Sequence, residues 1–216
     1  MSAADILDAL ATWTPFLAGG FVWNLVLSLV SMLIGTALGV LLALARSAPQ
    51  PALARTGSLL TAVSRNIPTF IMLFYLAYLL PVEVTVGGQS HAFPGWLKAS
   101  LALSVAVTGF VSDTFRIALR DWRAGEIGTA LLFIPNWTMY FVIIVMASST
   151  ASVVGVGEIV SRANTVIGAI GHKDIMLWVY LYAMLWFFAF CFPMSLLMIW
   201  VRRRMRRHID ARTAAA

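Results

Sequence analysis

Asp113 is the residue of this chain whose type and position are most able to do chemistry. It lies near the end of a long apolar run, in the segment SDTFR. If that run crosses a bilayer, a carboxylate near membrane depth is costly and therefore suggests a function. Arg116 follows three residues later, one helical turn away, so a structural ion pair at the membrane interface is the alternative.

The other reactive side chains form no catalytic or metal-binding pattern. His91 and His172 lie in short polar stretches, where a lone histidine is expected to be solvated. Cys191, the only cysteine, lies inside the last apolar run, so we expect a buried packing residue and no disulfide. The sequence contains no histidine within an apolar run and no glycine-rich phosphate loop. These absences argue against an enzyme, and no cofactor or metal site is predicted.

The apolar runs that must position these side chains are too extensive for a water-soluble fold. Hydrophobic residues make up 61% of the 216 residues and charged residues 11%, whereas soluble domains have about 45–50% and about 25%. Mean hydropathy is +0.88. A bilayer offers no water to satisfy free backbone groups, so a spanning run must be helical. We therefore predict an all-α, polytopic membrane helix bundle.

Five runs are predicted to span the membrane, which places the two termini on opposite sides. The second and fourth are short compared with the ~20 residues that a span needs, and residues 62–66 and 126–129 can extend them. The predicted spans are residues 20–44, 67–81, 96–115, 130–146 and 176–201. Residues 1–18 are predicted as an extracytoplasmic N-terminal segment, 19–203 as the transmembrane domain and 204–216 as a basic cytoplasmic tail.

The basic residues predict the orientation. With the C-terminus in the cytoplasm, twelve of the fifteen Lys and Arg lie on inner segments, and Lys98, Arg162 and Lys173 on outer ones, as the positive-inside rule requires. The acidic start of the chain lacks a basic n-region, so the first helix is expected to be retained. The tail RRRMRRH is expected to lie on anionic lipid headgroups rather than bind nucleic acid. The predicted location is the bacterial cytoplasmic (inner) membrane.

Shorter segments carry further predictions. Residues 53–64 alternate apolar with Arg and Ser side chains, which favours an interfacial helix before the chain re-enters at Pro68. The segment EIVSRANTVI predicts an amphipathic helix on the outer surface, and VEVTVGGQSHAFPG a short polar turn. Gly35 and Gly39 form a Gly-x-x-x-Gly spacing, typical of close helix packing. A lipid-facing helix with scattered glycines is the alternative.

Three stretches together resemble the permease subunits of polar amino-acid ABC importers of the histidine/glutamine/arginine type. GGFVWNLVLSLVSMLIGTALGVLLALAR resembles that family's opening span, with Asn24 at a position usually occupied by Thr or Asn. VSRNIPTFIMLFYLAYLLP is similar to the family's FRGTPLLVQLFFLYFGLP, and SSTASVVGVGEI to its TSLVSVIGVPEL. The resemblance covers about residues 19–203 and implies a type I ABC importer permease fold.

The loop between the third and fourth spans departs from the family pattern. In the family this loop carries a Glu-Ala-Ala segment followed by Gly, and its short helix docks on the ATPase. Here the loop is shorter by roughly 20 residues. At ~1.5 Å per residue, residues 116–126 allow two or three helical turns at most. The ATPase-contact candidates are Arg120, Asp121, Trp122, Arg123 and Glu126. A simple turn with an interfacial tryptophan is the alternative.

The resemblance implies one half of a permease dimer that works by alternating access. Its expected partners are a second permease chain, identical or different, a cytoplasmic ATP-binding subunit, a periplasmic solute-binding protein and membrane lipid. The family's polar groups in the fourth span are replaced by Met139-Tyr140 and Met146-Ala147. Candidate path residues are therefore the amide and hydroxyls of Asn136, Ser148, Ser149 and Thr150, for which helix-end capping is the alternative.

Two other functional interpretations remain. The shortened loop and the apolar fourth span also suit a non-transporting scaffold or regulatory subunit descended from a permease. An intramembrane enzyme or an unrelated transporter is a further alternative, in which Asp113 would be the intramembrane acid. The residues do not identify the solute.

Overall fold

The computed structural model describes residues 2–86 and 88–213, and this part of the chain is almost entirely helical, as predicted. The helices are α1 (Ala3–Arg46), α2 (Pro51–Asn66), α3 (Thr69–Leu79), α4 (Gly95–Arg123), α5 (Ile127–Ala130), α6 (Phe133–Ala147), α7 (Ile159–Ile170) and α8 (Ile175–Thr213). A 3₁₀ helix (Ser148–Val154) continues α6. Strands β1 (Glu83–Val86) and β2 (Gln89–Ala92) pair antiparallel.

Four helical segments are long and apolar enough to cross a membrane: Ala3–Arg46, Gly95–Arg123, Ile127–Val154 and Ile175–Arg207. Helices α2 and α3 would make a fifth, but they are bent by 100° relative to each other. The bend lies at Ile67-Pro68, because the residue before a proline is disfavoured in helical conformation. Residues 62–66 therefore belong to α2, and their extension of the second span stays a prediction.

The long helices α1, α4 and α8 run in the same direction. Gly35 and Gly39 of α1 pack on Val107 and Val111 of α4 in the same order along both helices. The three helices end together with α2 and α5, and we call this the basic end. The hairpin β1–β2 and α7 lie at the opposite end. The chain thus starts at one end of the bundle and finishes at the other, as five crossings require.

Helices α1 and α4 approach closely because small residues line both. A Cβ atom added to Gly39 would lie 2.6 Å from Val111 Cβ and 2.8 Å from the Thr108 carbonyl oxygen, and one on Gly35 would lie 2.6 Å from the Ser104 carbonyl oxygen. Neither glycine can carry a side chain without moving α4. The prediction of close packing at the Gly-x-x-x-Gly spacing is confirmed, and the lipid-facing alternative is wrong for these two positions.

Two segments differ from the sequence predictions. Residues 83–86 and 89–92 pair as antiparallel strands, where the sequence predicted a simple polar turn. The basic tail continues α8 as helix to Thr213, since no helix-breaking residue follows Val201. At ~1.5 Å per residue, this helix of 39 residues is ~58 Å long, against ~30 Å of hydrocarbon. The arginines after Val201 are therefore part of α8, and their contact with anionic lipid headgroups stays a prediction.

Replacement of Gly39 by Ala should push α1 and α4 apart, because the added methyl group meets backbone as well as Val111. Overpacking of this kind costs about 1–3 kcal/mol. We expect a lower midpoint of thermal unfolding in detergent for Gly39→Ala. The matched control is Gly168→Ala on α7, where an added Cβ meets nothing within 4 Å and stability should not fall. Equal stability of the two variants would contradict the close packing.

Candidate functional site

Asp113 joins three helices at the basic end. Arg46 of α1 donates to its Oδ1 at 2.7 Å, and Arg65 of α2 donates to its Oδ2 at 2.8 Å. Arg116 is exposed. The predicted pairing of Asp113 with Arg116 is therefore wrong, because arginines from two neighbouring helices reach the carboxylate. Two guanidinium groups around one carboxylate leave the cluster with one net positive charge.

Small and hydroxyl residues hold α2 against this cluster. Thr61 and Ser112 share a hydrogen bond of 2.7 Å, and Arg46 also donates to Ser112 Oγ at 3.0 Å. A Cβ on Gly109 would lie 2.8 Å from Arg65 Cγ, so only glycine lets the Arg65 side chain cross α4 here. The helix predicted before Pro68 is present as α2, and it carries one of the two arginines that bind Asp113; its position at the membrane interface stays a prediction.

A cavity of about 470 Å³ opens beside the Arg65–Asp113 pair. Ligand sites of small molecules occupy about 300–1,000 Å³, so the cavity can hold a solute of amino-acid size. Tyr140 forms one wall, stacked on Phe110 with 3.9 Å between ring centroids. The lining residues are Ser64, Arg65, Ile67, Thr69, Ala106, Phe110, Asp113, Thr114 and Tyr140.

The charged side chains at this cavity suit a solute that carries one positive and one negative charge. Arg65 has 60% of its side chain exposed and Asp113 28%, so both remain accessible while paired. A carboxylate can accept from the free N–H groups of Arg65, and an ammonium can approach Asp113. The hydroxyls of Ser64, Thr69 and Thr114 add neutral donors and acceptors. The arrangement is therefore a candidate binding site for a small zwitterion.

A second polar cluster is buried near the opposite end. Glu158 is fully buried and caps α7, where its carboxylate accepts from the backbone N–H groups of Val160 (3.0 Å) and Ser161 (2.9 Å). Asn24 of α1 donates to the same carboxylate at 3.0 Å and to Ser148 Oγ at 2.9 Å. Its Oδ1 accepts from the backbone N–H of Ile159. One amide thus ties α1 to the 3₁₀ helix and to α7.

Burial raises the pKa of the Glu158 carboxyl above its usual range, although hydrogen bonds from Val160, Asn24 and Ser161 oppose the shift. The sequence interpretation missed this residue, since it treated Asp113 as the one acid close to membrane depth. The available signal was the position of Glu158 at the start of the predicted helix EIVSRANTVI, whose first N–H groups need an acceptor. We interpret the cluster as structural, because all of its partners belong to the chain.

The four candidate path residues lie away from the Arg65–Asp113 cavity. Ser148, Ser149 and Thr150 each donate to the carbonyl three residues earlier, at 2.7, 2.8 and 2.7 Å. Asn136 lies in the first turn of α6 and is half-buried. Each of the three hydroxyls therefore bonds to a carbonyl of its own helical turn. A role for the four residues in a solute path stays a prediction.

The predicted ATPase-contact residues lie together where α4 turns into α5. Asp121 is buried and pairs with Arg120 at 3.0 Å, whereas Trp122, Arg123 and Glu126 are exposed. Gly125 turns the chain with a φ of 85°, a conformation that favours glycine. Between α4 and α6 the chain forms only the four-residue helix α5, in keeping with the limited length predicted for this loop. Contact with an ATPase stays a prediction.

Lys98 has a structural contact that its predicted outer position did not suggest. The side chain is buried, and its ammonium donates to the carbonyl oxygens of Leu80 (2.8 Å) and Ala77 (3.2 Å). These carbonyls lie at the C-terminal end of α3, where a cation is favourable. Lys98 therefore anchors α3 to α4 at the opposite end of the bundle.

No family model matches the chain. Its relatives and the similar solved structures are named as transport permeases or ABC transporters. The chain is 28% identical over 216 residues to the L-cystine transport system permease protein TcyB of Bacillus subtilis, covering 90% of this chain and 88% of the relative. It is 23% identical over 201 residues to the probable glutamine ABC transporter permease protein GlnP of B. subtilis, covering 84% and 89%.

Two solved structures share the fold. A crystal structure of an amino acid ABC transporter with histidines matches with a TM-score of 0.76 at 17% identity, covering 94% of this chain and 100% of that one. An inward-facing structure of the MetNI methionine ABC transporter matches with a TM-score of 0.58 at 21% identity, covering 97% and 99%. The helical arrangement described above is thus the arrangement found in ABC transporter permeases.

Replacement of Glu158 by Ala should destabilise the fold by about 1–3 kcal/mol, because Asn24 and two backbone N–H groups lose their buried acceptor. The raised pKa also sets the pH dependence. The folded chain binds the Glu158 proton more tightly than the unfolded chain. Protonation of Glu158 therefore adds stability at low pH, and that added stability is lost as pH rises through the raised pKa. Thermal unfolding in detergent from acidic to neutral pH should show a flatter profile for Glu158→Ala. Glu83→Ala, on the exposed hairpin, is the control and should keep the wild-type profile.

Proposed function

Because the chain is a multi-pass membrane permease related to the amino-acid ABC transporter permeases, we propose that it forms one half of an ATP-driven importer for small zwitterionic solutes. The observation that carries this proposal is the match of 94% of the chain to the fold of an amino acid ABC transporter, with a TM-score of 0.76. The relatives are transport permeases rather than enzymes. The proposed location is the cytoplasmic (inner) membrane.

The proposed assembly pairs this chain with a second permease subunit. Exposed aromatic and aliphatic residues cover one face of α3, among them Ile71, Tyr75 and Tyr78. This helix has 11 residues, ~16 Å at ~1.5 Å per residue, so it does not cross the membrane alone. A second half-bundle that packs on this face would complete the walls of a path. An ATP-binding subunit and a solute-binding protein complete the importer.

The proposed orientation places the basic end in the cytoplasm and the N-terminus outside. Ten exposed arginines of the described residues lie at the basic end, namely Arg55, Arg65, Arg116, Arg120, Arg123, Arg202, Arg203, Arg204, Arg206 and Arg207, and the positive-inside rule puts such residues in the cytoplasm. Solute would then arrive from the solute-binding protein at the end that carries α7 and the hairpin. ATP-driven closure at the basic end would reorient the two halves.

The proposed solute is a polar amino acid or a similar zwitterion. The cavity beside Arg65 and Asp113 offers one accessible cation and one accessible anion next to three hydroxyls. The two relatives named above are assigned to cystine and glutamine, both zwitterions. Asn136, in the first turn of α6, and Ser148, Ser149 and Thr150, at the far end of that helix, are a second proposed set of path residues. The KM for uptake is expected to rise in mutants of whichever set binds the solute.

Replacement of Arg65 by Gln should weaken solute uptake while Asp113 keeps its bond to Arg46. A hydrogen bond to a charged group is worth about 1.5–3 kcal/mol, so we expect the KM for uptake to rise about tenfold or more. The assay uses proteoliposomes with the proposed second permease, ATP-binding subunit and solute-binding protein. Arg55→Gln, on the same helix but away from the cavity, is the matched control.

Three other outcomes are informative in the same assay. A raised KM for Ser149→Ala with an unchanged KM for Arg65→Gln would move the solute site to the second set of residues. Equal KM values for Arg65→Gln and Arg55→Gln would contradict a zwitterion site at Asp113. A wild-type chain that assembles with its partners but supports no uptake and no ATP hydrolysis would favour the scaffold function.

A further inference from the structure

The cavity beside Arg65 and Asp113 has a polar half and an apolar half. On α4, Asp113 and Thr114 line the cavity toward the basic end, while Phe110 and Ala106 line it one and two turns nearer the middle of the bundle. Ala106 lies seven residues before Asp113, which is ~10 Å of helix. A solute held at Arg65 and Asp113 by its charged groups therefore has space for its side chain along α4, toward Phe110.

Two aromatic rings form the wall of the apolar half. Phe110 of α4 and Tyr140 of α6 stack with their ring planes 2° apart. Both are half-buried and pack on a core that includes Leu103 and Val107 of α4, so the protein holds the rings in place from behind. A preformed aromatic wall favours an aromatic or bulky apolar side chain, which can contact it without rearranging the site.

The wall offers little to a polar side chain. The hydroxyl of Tyr140 already donates to the carbonyl oxygen of Ala106 at 3.2 Å, and Phe110 has no polar side-chain atom. Ile67, between α2 and α3, adds a further apolar side chain to the lining. An amide or hydroxyl of the solute would give up hydrogen bonds to water here and find only the phenolic oxygen, which weakens its binding.

The charges around the cavity also argue against a charged side chain. Arg46, Arg65 and Asp113 carry one net positive charge among them, so they repel a solute that has an additional ammonium or guanidinium group. An additional carboxylate would lie against the two rings, which offer it no free N–H or O–H donor, and such burial is costly. An uncharged side chain is therefore favoured.

We propose that the apolar half of this cavity binds the side chain of the solute, and that the solute is an amino acid with a large, uncharged apolar or aromatic side chain. This inference rests on the proposed importer function and narrows the zwitterionic solutes proposed above. The α-carboxylate binds Arg65, the α-ammonium binds Asp113, and the side chain lies against Phe110 and Tyr140. Tyr140 is therefore a specificity-determining residue.

Direct binding to the transporter assembled from this chain, the proposed second permease and the ATP-binding subunit tests the preference. The solute-binding protein is omitted, because it would select solutes before they reach the cavity. Radiolabelled L-phenylalanine is bound in nanodiscs and displaced by unlabelled L-leucine, L-glutamine or L-arginine. We expect leucine to act at concentrations about tenfold or more below those of the other two, the scale on which an apolar pocket discriminates. Displacement by glutamine or arginine at the leucine concentration would overturn the proposal.

Variants of Tyr140 assign the preference to the aromatic wall. Tyr140→Gln replaces the ring by an amide, so we expect the affinity for phenylalanine relative to glutamine to fall about tenfold. The matched control is Tyr182→Gln, because Tyr182 is also half-buried and shares a hydrogen bond with Thr14 of another helix, and it should keep the wild-type preference. Tyr140→Phe keeps the ring and should restore the preference that Tyr140→Gln loses. Loss of the preference in Tyr140→Phe would assign it to the hydroxyl and contradict the proposal.

A further variant tests the apolar half with both rings in place. Ala106 lines this half, so the longer side chain of Ala106→Leu takes up space that a large solute side chain needs. We expect the ratio of phenylalanine affinity to alanine affinity to fall about tenfold, since alanine does not reach this half. An unchanged ratio would show that the solute side chain lies elsewhere.

The failures of the two proposals are distinguishable. If the wild-type transporter supports uptake and binds glutamine in a way that Arg65→Gln weakens, but shows no preference for apolar side chains, the narrowing fails and the importer function stands. If the assembled wild-type transporter binds no amino acid and supports no uptake, the importer function itself fails and the solute preference fails with it.

Discussion

The close contact between α1 and α4 is the constraint on which the rest of the structure depends. Gly35 and Gly39 allow the two backbones to meet, and the serine hydroxyls of Ser28 and Ser31 bond to carbonyls of their own helix instead of crossing the interface. A slip of one residue would rotate a helix by ~100° and shift it by ~1.5 Å. That slip would move Arg46 away from Asp113 and Asn24 away from Glu158. The register of one helix pair therefore sets both polar clusters.

The two carboxylates illustrate two ways of placing an acid in a membrane protein. Asp113 lies near the basic end, is matched by two arginines and stays partly exposed to a cavity, so its charge remains available to a solute. Glu158 has neutral donors only and is fully buried. Its hydrogen bonds hold three segments together at the opposite end. One acid is therefore accessible to other partners, as the proposed solute site requires, while the other keeps the local fold fixed.

The sequence predicted the elements better than their contacts. Apolar length and arginine positions were sufficient for the helical class, the interfacial α2 and the helix α7, because these follow from local composition. The partners of Asp113 were missed because sequence spacing reveals only neighbours on one helix, and Arg46 and Arg65 come from other helices. The hairpin was detectable from EVTV and QSHA around a Gly-Gly pair. The cavity beside Arg65 and Asp113 required the packing of separate helices, which no local pattern contains.

The buried ammonium of Lys98 has a consequence for how the chain enters the membrane. A lone lysine in the bilayer costs ~2.5 kcal/mol or more, and here the carbonyls at the end of α3 offset that cost. Helix α3 in turn is too short to span by itself. Helix α4 is long and apolar enough to span by itself, so we expect α3 to enter the bilayer only once Lys98 and the rest of α4 are present to pack against it.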